Sequence, residues 1–283
     1  MQSTHKRILI TVFLIPFFIL SQNNTFYRKY NLPGMQGALQ MEVTNDGGFI
    51  ATGQHEGVGG HGDCDVYAYK LDVCGNIDWF KTYGTAAQEG GKSIFQMNDG
   101  SFLISGLYSG SSTYRAFNMK VDGSGNLIWI KRYNFEWMMY SIETSAGDII
   151  SVGRNSGSLF LIKTDNVGNL TWSRQITGLG DMGLWLDDLP NGDIMLMGIG
   201  ASNGKDFSVA RLNSTGAFIW SKTYGGTGYG DVDHITWSCK GAVDLTDNSL
   251  MVTAPTLLGG LADHNIIVSK LSLTDGSVIW ANV

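Results

Sequence analysis

Five stretches of the chain open on a polar or glycine-containing turn and then run apolar for about four residues: 46–53, 99–106, 146–153, 191–198 and 247–254. An apolar run of that length behind turn residues predicts a short strand covered on both faces. A second set, 65–72, 115–122, 158–165, 206–213 and 265–272, carries one basic residue per stretch: Lys70, Lys120, Lys163, Arg211 and Lys270. Each basic residue precedes a tryptophan (Trp79, Trp129, Trp172, Trp220 and Trp280), by nine positions in the first four cases and ten in the last. The tryptophans lie in a further strand-like segment, entered through a turn whose glycine stands four positions ahead of the ring: Gly75, Gly125, Gly168, Gly216 and Gly276. A less regular segment, such as 38–44 or 92–98, fills the rest of each period.

The aromatic segments set the period. Phe26 adds a sixth copy, and the intervals from it through the five tryptophans are 53, 50, 43, 48 and 60 residues. A basic residue follows two positions later at Arg28, Lys81, Lys131, Arg174 and Lys222, and a tyrosine four positions later at Tyr30, Tyr83, Tyr133 and Tyr224, with Ile176 in the third tryptophan copy. Repeats of this length cannot bury a hydrophobic face singly, so they must stack. Four consecutive strands per repeat, joined by tight turns, predict an all-β protein: a β-propeller of five four-stranded antiparallel blades plus a lone N-terminal outer strand at 26–30. That lone strand has no inner strands of its own and the last repeat already owns an outer strand. The expectation is therefore an incomplete ring, truncated at its C-terminus, from a protein of at least six blades.

The stretches beginning at Asp72, Asp122 and Asp165 read Asp-x-x-Gly-Asn-x-x-Trp. They resemble the tryptophan-docking repeats of quinoprotein-like (PQQ-like) propellers, whose pattern is Asp-x-x-Thr-Gly-x-x-x-Trp, with one residue fewer between Asp and Gly. Residues 272–280 (SLTDGSVIW) keep the family spacing with Ser272 in place of Asp. The chain is also similar to the multi-repeat propellers of exported bacterial proteins. Membership of the quinoprotein enzymes would imply a quinone cofactor on the axis, over a disulfide between adjacent cysteines, with calcium beside it. No two cysteines are adjacent here, and the expectation is a protein without a cofactor.

Thirty-eight glycines against four prolines, with 16% charged residues, suit short strands and tight turns. At the N-terminus Lys6 and Arg7 precede an apolar run at 8–20, too short to span a bilayer, and Ser21 supplies a small residue at its end. Residues 1–21 thus read as a secretory signal peptide, which leaves 22–283 as propeller repeats with no transmembrane segment. Removing Lys6 and Arg7 takes the net charge from −6 to −8, a poor balance for binding nucleic acid. The expected location is secreted or cell-surface, with the periplasm as the alternative. Cys64, Cys74 and Cys239 form no metal-binding or disulfide pattern, although a Cys64–Cys239 bridge is conceivable.

Residues repeated once per blade, including Trp79, Trp129, Trp172, Trp220 and Trp280, are assigned to structure, because copies spread around an axis cannot mark one site. Function is expected in what does not repeat: the connections between second and third strands and those between blades, which emerge on one face. The first such loop holds His55, Glu56, His61 and Asp63; the second blade adds Tyr108 and Tyr114, and the link to the third adds Trp137. Loop 225–238 holds Tyr229, Asp231, Asp233, His234 and Trp237, and loop 255–264 holds Asp263 and His264. Carboxylates, imidazoles and aromatic rings on one face suit a sugar, a peptide or a metal. Long loops collect polar residues in any fold, so the clustering is partly forced. Nucleophile-elbow, P-loop and dinucleotide signatures are absent. The leading expectation is a non-catalytic propeller binding a protein or glycan. The alternatives are a fragment of a carbohydrate-active or quinoprotein-like enzyme, and a scaffold of the outer-membrane assembly type.

Overall fold

The computed structural model describes residues 29–30, 35–56, 64–110, 113–199, 207–225, 239–257 and 264–282. All regular structure within them is β. Blade 1 contains β1 (Met35–Val43), β2 (Phe49–Glu56), β3 (Asp65–Leu71) and β4 (Ile77–Tyr83). Blade 2 contains β5 (Gln88–Gln96), β6 (Phe102–Gly110), β7 (Thr113–Val121) and β8 (Leu127–Tyr133). Blade 3 follows with β9 (Trp137–Glu143), β10 (Ile149–Asn155), β11 (Ser158–Thr164) and β12 (Leu170–Ile176). Blade 4 comprises β13 (Met182–Asp188), β14 (Ile194–Ile199), β15 (Phe207–Leu212) and β16 (Phe218–Tyr224), and blade 5 β17 (Lys240–Asp244), β18 (Ser249–Leu257), β19 (His264–Ser272) and β20 (Val278–Asn282). Each blade is one antiparallel sheet with its strands in chain order. Of the expected strand at 26–30, only residues 29 and 30 are described.

Two irregularities recur because the packing demands them. Just ahead of each tryptophan the outer strand bulges by one residue, which pairs the ring with the basic residue of the third strand: Lys70 with Trp79, Lys120 with Trp129, Lys163 with Trp172, Arg211 with Trp220 and Lys270 with Trp280. The longer spacing in blade 5 lies in the turn. Ser272 N–H reaches Ser277 O there, whereas Asp72 N–H reaches Asn76 O in blade 1. The second bulge lies in the inner strand, between Gly91 and Ser93 in blade 2 and at corresponding places in blades 1, 3 and 4. It brings a carbonyl against a second-strand glycine; a Cβ on Gly106 would stand 2.0 Å from Gly90 O. Blade 5 has Ala254 at this place, and the β17–β18 pairing runs without a bulge over the described residues.

The repeated basic residues have carboxylate partners as well. Lys70 pairs with Asp46 at 2.8 Å, Lys120 with Asp99, Lys163 with Asp148 and Arg211 with Asp193 each at 2.7 Å, and Lys270 with Asp247. These aspartates sit in the turn between first and second strands, so each pair ties that turn to the third strand.

The core lies between blades. Ile50, Val66 and Ala68 of blade 1 pack against Ile94, Phe102, Ile104, Phe117 and Met119 of blade 2, and the later interfaces repeat this layering. Between blades 2 and 3 the core holds a closed polar knot: Ser105 Oγ donates to Asn118 Oδ1 (2.7 Å) and Asn118 Nδ2 to Ser151 Oγ (2.9 Å), while Ser141 Oγ lies 2.7 Å from both serine hydroxyls. Each member has a partner, which is what makes burial of four polar side chains tolerable. Among the described residues blade 5 does not pack face to face against blade 1, and the ring is open there. Met41 is 57% exposed and Ile266 is 65% exposed on the two sides of that opening. No helix among the described residues is long and apolar enough to cross a membrane.

Candidate functional site

The two faces of the ring differ in kind. On one, the turns repeat: Asp72 accepts from Cys74 N–H and Asn76 N–H, and Asp122, Asp165 and Asn213 hold their own turns in the same way. A face of such copies offers no single site. The opposite face carries the connections between second and third strands and between blades, and these differ from one another.

On that face an open cleft separates blades 2 and 3. Its volume is about 440 Å³, and Tyr114, Arg115, Asn134, Phe135, Glu136, Asn155 and Ser156 line it. The blade-to-blade link forms the floor: Phe135 O accepts from Ala116 N–H at 2.8 Å, and the Phe135 ring lies 5.9 Å from Tyr133 and 4.1 Å from Phe160. One wall is the β10–β11 hairpin, whose two loop residues, Ser156 (φ +49°) and Gly157 (φ +72°), have the left-handed backbone that such a short hairpin requires. Ser156 N–H donates to Glu136 Oε1 at 3.1 Å, fastening the hairpin to the link. The other wall is Tyr114, whose ring meets Trp137 edge-on at 6.0 Å and remains 44% exposed.

Arg115 and Glu136 line the cleft, one charge of each sign. Arg154 lies 5.5 Å from the Trp137 ring centre, 3.4 Å from Glu136 and 3.8 Å from Asp181. By contrast, among the described residues the Tyr114 hydroxyl and the Asn134 and Asn155 amides have no hydrogen-bond partner within the protein.

No family model matches the chain, and no curated protein matches it. Among solved structures it is similar to puromycin hydrolase, at 12% identity with a TM-score of 0.54, covering 88% of this chain and 38% of that one. It is also similar to the Dos1 propeller, at 12% identity with a TM-score of 0.51, covering 88% of this chain and 64% of that one. The shared architecture is the β-propeller. At this identity the likeness is one of fold, and the chain spans less than two thirds of the length of either protein.

Within the propeller, the structure places some of the sequence candidates and separates others. Trp137 supports the cleft between blades 2 and 3. Tyr108 faces the opposite side of blade 2, under the Arg132 guanidinium at 4.2 Å, in a cavity of about 140 Å³ walled by Val66, Phe117 and Met119. His55 and Glu56 end β2, opposite Gln36 and Met35, and His264 opens β19 opposite Leu257. His61, Asp63, Tyr229, Asp231, Asp233, His234, Trp237 and Asp263 lie outside the described residues. No group of three His, Cys, Asp or Glu able to hold a metal occurs among the described residues. No disulfide joins the three cysteines; Cys64 and Cys239 are buried separately, and burial pushes the Cys239 thiol up to about 12.

The sequence reading missed the axial channel. Residues of all five inner strands line a space of about 570 Å³, among them Glu42, Tyr140, Asp187 and Lys240. Lys240 Nζ stands 4.3 Å from the Tyr140 ring centre. Burial lowers the Lys240 ammonium from its usual value, with Glu42 opposing, and burial raises the Asp187 carboxyl to about 6. The available signal was the polar residue inside four of the five irregular first segments (Glu42, Tyr140, Asp187 and Lys240), with Phe95 in the second blade.

Proposed function

We propose that this protein is an exported, non-catalytic propeller of the quinoprotein-like repeat type, which presents the face of its long connections to a protein or glycan. The observation that carries this reading is the cleft between blades 2 and 3, where an exposed aromatic ring and two unclaimed amides border an open cavity of about 440 Å³. The opposite face supports it by contrast, since its aspartates and asparagines are consumed in holding turns. Export rests on Lys6 and Arg7 ahead of the apolar run at 8–20. The test is a binding screen of residues 22–283 against glycan and extracellular-protein arrays, repeated after exchanging the connections at 54–64, 110–114, 154–158 and 225–238 together and, separately, after altering the Gly125 turn. Loss with the connections and persistence with the turn is the expected outcome. The reverse would place the site on the other face.

A second reading is favoured by the axial channel, where a carboxyl raised to about 6 and a lowered lysine share one cavity, as acid–base chemistry requires. A hydrolytic activity abolished by Asp187→Asn with the fold intact would establish that reading. Activity indifferent to Asp187 would remove it.

A further inference from the structure

Resting on the reading of the variable face as the binding face, we propose that the cleft between blades 2 and 3 is a site for a neutral pyranose ring of a glycan. Tyr114 is its platform, and the Asn134 and Asn155 amides are its hydroxyl partners. Each remaining ligand class conflicts with the cleft's chemistry. A metal ion needs free carboxylates, but Glu136 and Asp181 face Arg154 at 3.4 and 3.8 Å. An anion drawn by Arg115 would meet the Glu136 carboxylate, which lines the same cleft and offsets that charge. A protein anchor needs an apolar socket behind a flat rim, whereas this is a concave space in which Asn134, Asn155, Ser156, Arg115 and Glu136 outnumber the two rings, Tyr114 and Phe135.

Sugar hydroxyls both donate and accept, and so do side-chain amides, which is why asparagine matches a polyol without selecting a charge. A pyranose also has an apolar face of C–H groups, which an exposed aromatic ring can cover. Tyr114 is held for that task. Its edge-on contact with Trp137 fixes the ring, Arg154 packs against Trp137, and Glu136 ties the hairpin carrying Asn155 to the link carrying Asn134. The site is therefore organised before any ligand arrives, which lowers the ordering cost of binding.

The experiment is calorimetric titration of residues 22–283 with cellohexaose, mannohexaose, maltohexaose and chitohexaose, with Tyr114→Ala, Tyr114→Phe, Asn155→Ala and Tyr108→Ala beside the parent. At least one series should bind. Tyr114→Ala should weaken it about tenfold, Asn155→Ala about threefold to tenfold, and Tyr114→Phe by less than about threefold. Tyr108→Ala, on the other side of blade 2, should leave it unchanged. If Tyr114→Ala lowers the melting midpoint, the Asn134→Ala/Asn155→Ala double variant carries the test. Absence of binding in all four series overturns the proposal, as does saccharide binding insensitive to these variants. A protein ligand on this face with no saccharide binding would overturn the sugar while sparing the face; saccharide binding lost only with the Gly125 turn would overturn both.

Discussion

The Tyr83 hydroxyl donates a hydrogen bond of 2.8 Å to the Gly125 carbonyl, joining the outer strand of blade 1 to the last turn of blade 2. Tyr133 reaches Gly168 at 3.0 Å and Tyr224 reaches Gly276 at 2.6 Å in the same way, and Tyr30, ahead of blade 1, reaches Gly75 at 2.7 Å. The tryptophan of each outer strand presses on the same turn. A Cβ added to Gly125, Gly168, Gly216 or Gly276 would meet the rings of Trp79, Trp129, Trp172 or Trp220 at 2.6–3.1 Å. Lys81 and Lys131 complete the contact by donating to Asn126 and Asn169. The aromatic, basic and tyrosine positions of one repeat are thus a clasp on the turn of the next.

The clasp predicts a difference between two glycines with nearly the same backbone. Gly168 (φ +80°) lies under Trp129, whereas a Cβ on Gly100 (φ +81°) would meet nothing within 4 Å. Gly100→Ala should cost the left-handed backbone penalty of about 1–2 kcal/mol, and Gly168→Ala at least about 1 kcal/mol more. Equal losses in denaturant titrations would show that the ring does not bear on the turn.

Trp129→Ala should cost about 2 to 3 kcal/mol, below the range for a fully buried tryptophan because the ring is only half-buried. Trp280 is 39% exposed and blade 5 packs on no following blade among the described residues, so Trp280→Ala should cost less than about 1 kcal/mol. A larger loss at Trp280 than at Trp129, in parallel unfolding curves, would contradict the clasp.

Much of this was legible in the sequence because repetition exposes it. The strands, the Trp spacing and the turn glycines follow from positions that recur five times. The Lys70–Asp46 pair and its equivalents were not seen, since the aspartate shifts within its tripeptide: it comes first in 46–48 and last in 146–148. The bulge opposed by Gly106 needs cross-strand register, which a sequence does not display. At the candidate site, Trp137 and Tyr108 are equally aromatic and nearby in sequence, yet Trp137 opens blade 3 beside the cleft while Tyr108 faces blade 1 from the other side of blade 2. Asn134, Glu136 and Asn155 carry no repeat signal, and only the cleft brings them together.

The acidity of Asp187 predicts an unusual stability profile. Its folded-state value of about 6, raised by burial, lies above the reference 3.8, so the native state binds the extra proton between these values. Stability from this group is present below about pH 4 and is lost as pH rises through about 6. Asp99 behaves oppositely: burial works against its ionisation, but hydrogen bonds from Lys120 and Ser101 outweigh it and lower the carboxyl to about 2, so its contribution is lost as pH falls below about 4. Asp187→Asn should raise stability at pH 7 and flatten the slope between pH 4 and 6, leaving the acid limb intact. An unchanged slope in unfolding titrations across that window would refute the assignment.

Under the proposed function, one face of this propeller binds and the other only closes the fold. Amide hydrogen exchange with the strongest ligand from the binding screen, read peptide by peptide, tests it most directly. Protection should concentrate at residues 113–116, 134–137 and 154–158. Protection confined to the turns at 72–76, 122–126 and 165–169 would contradict it.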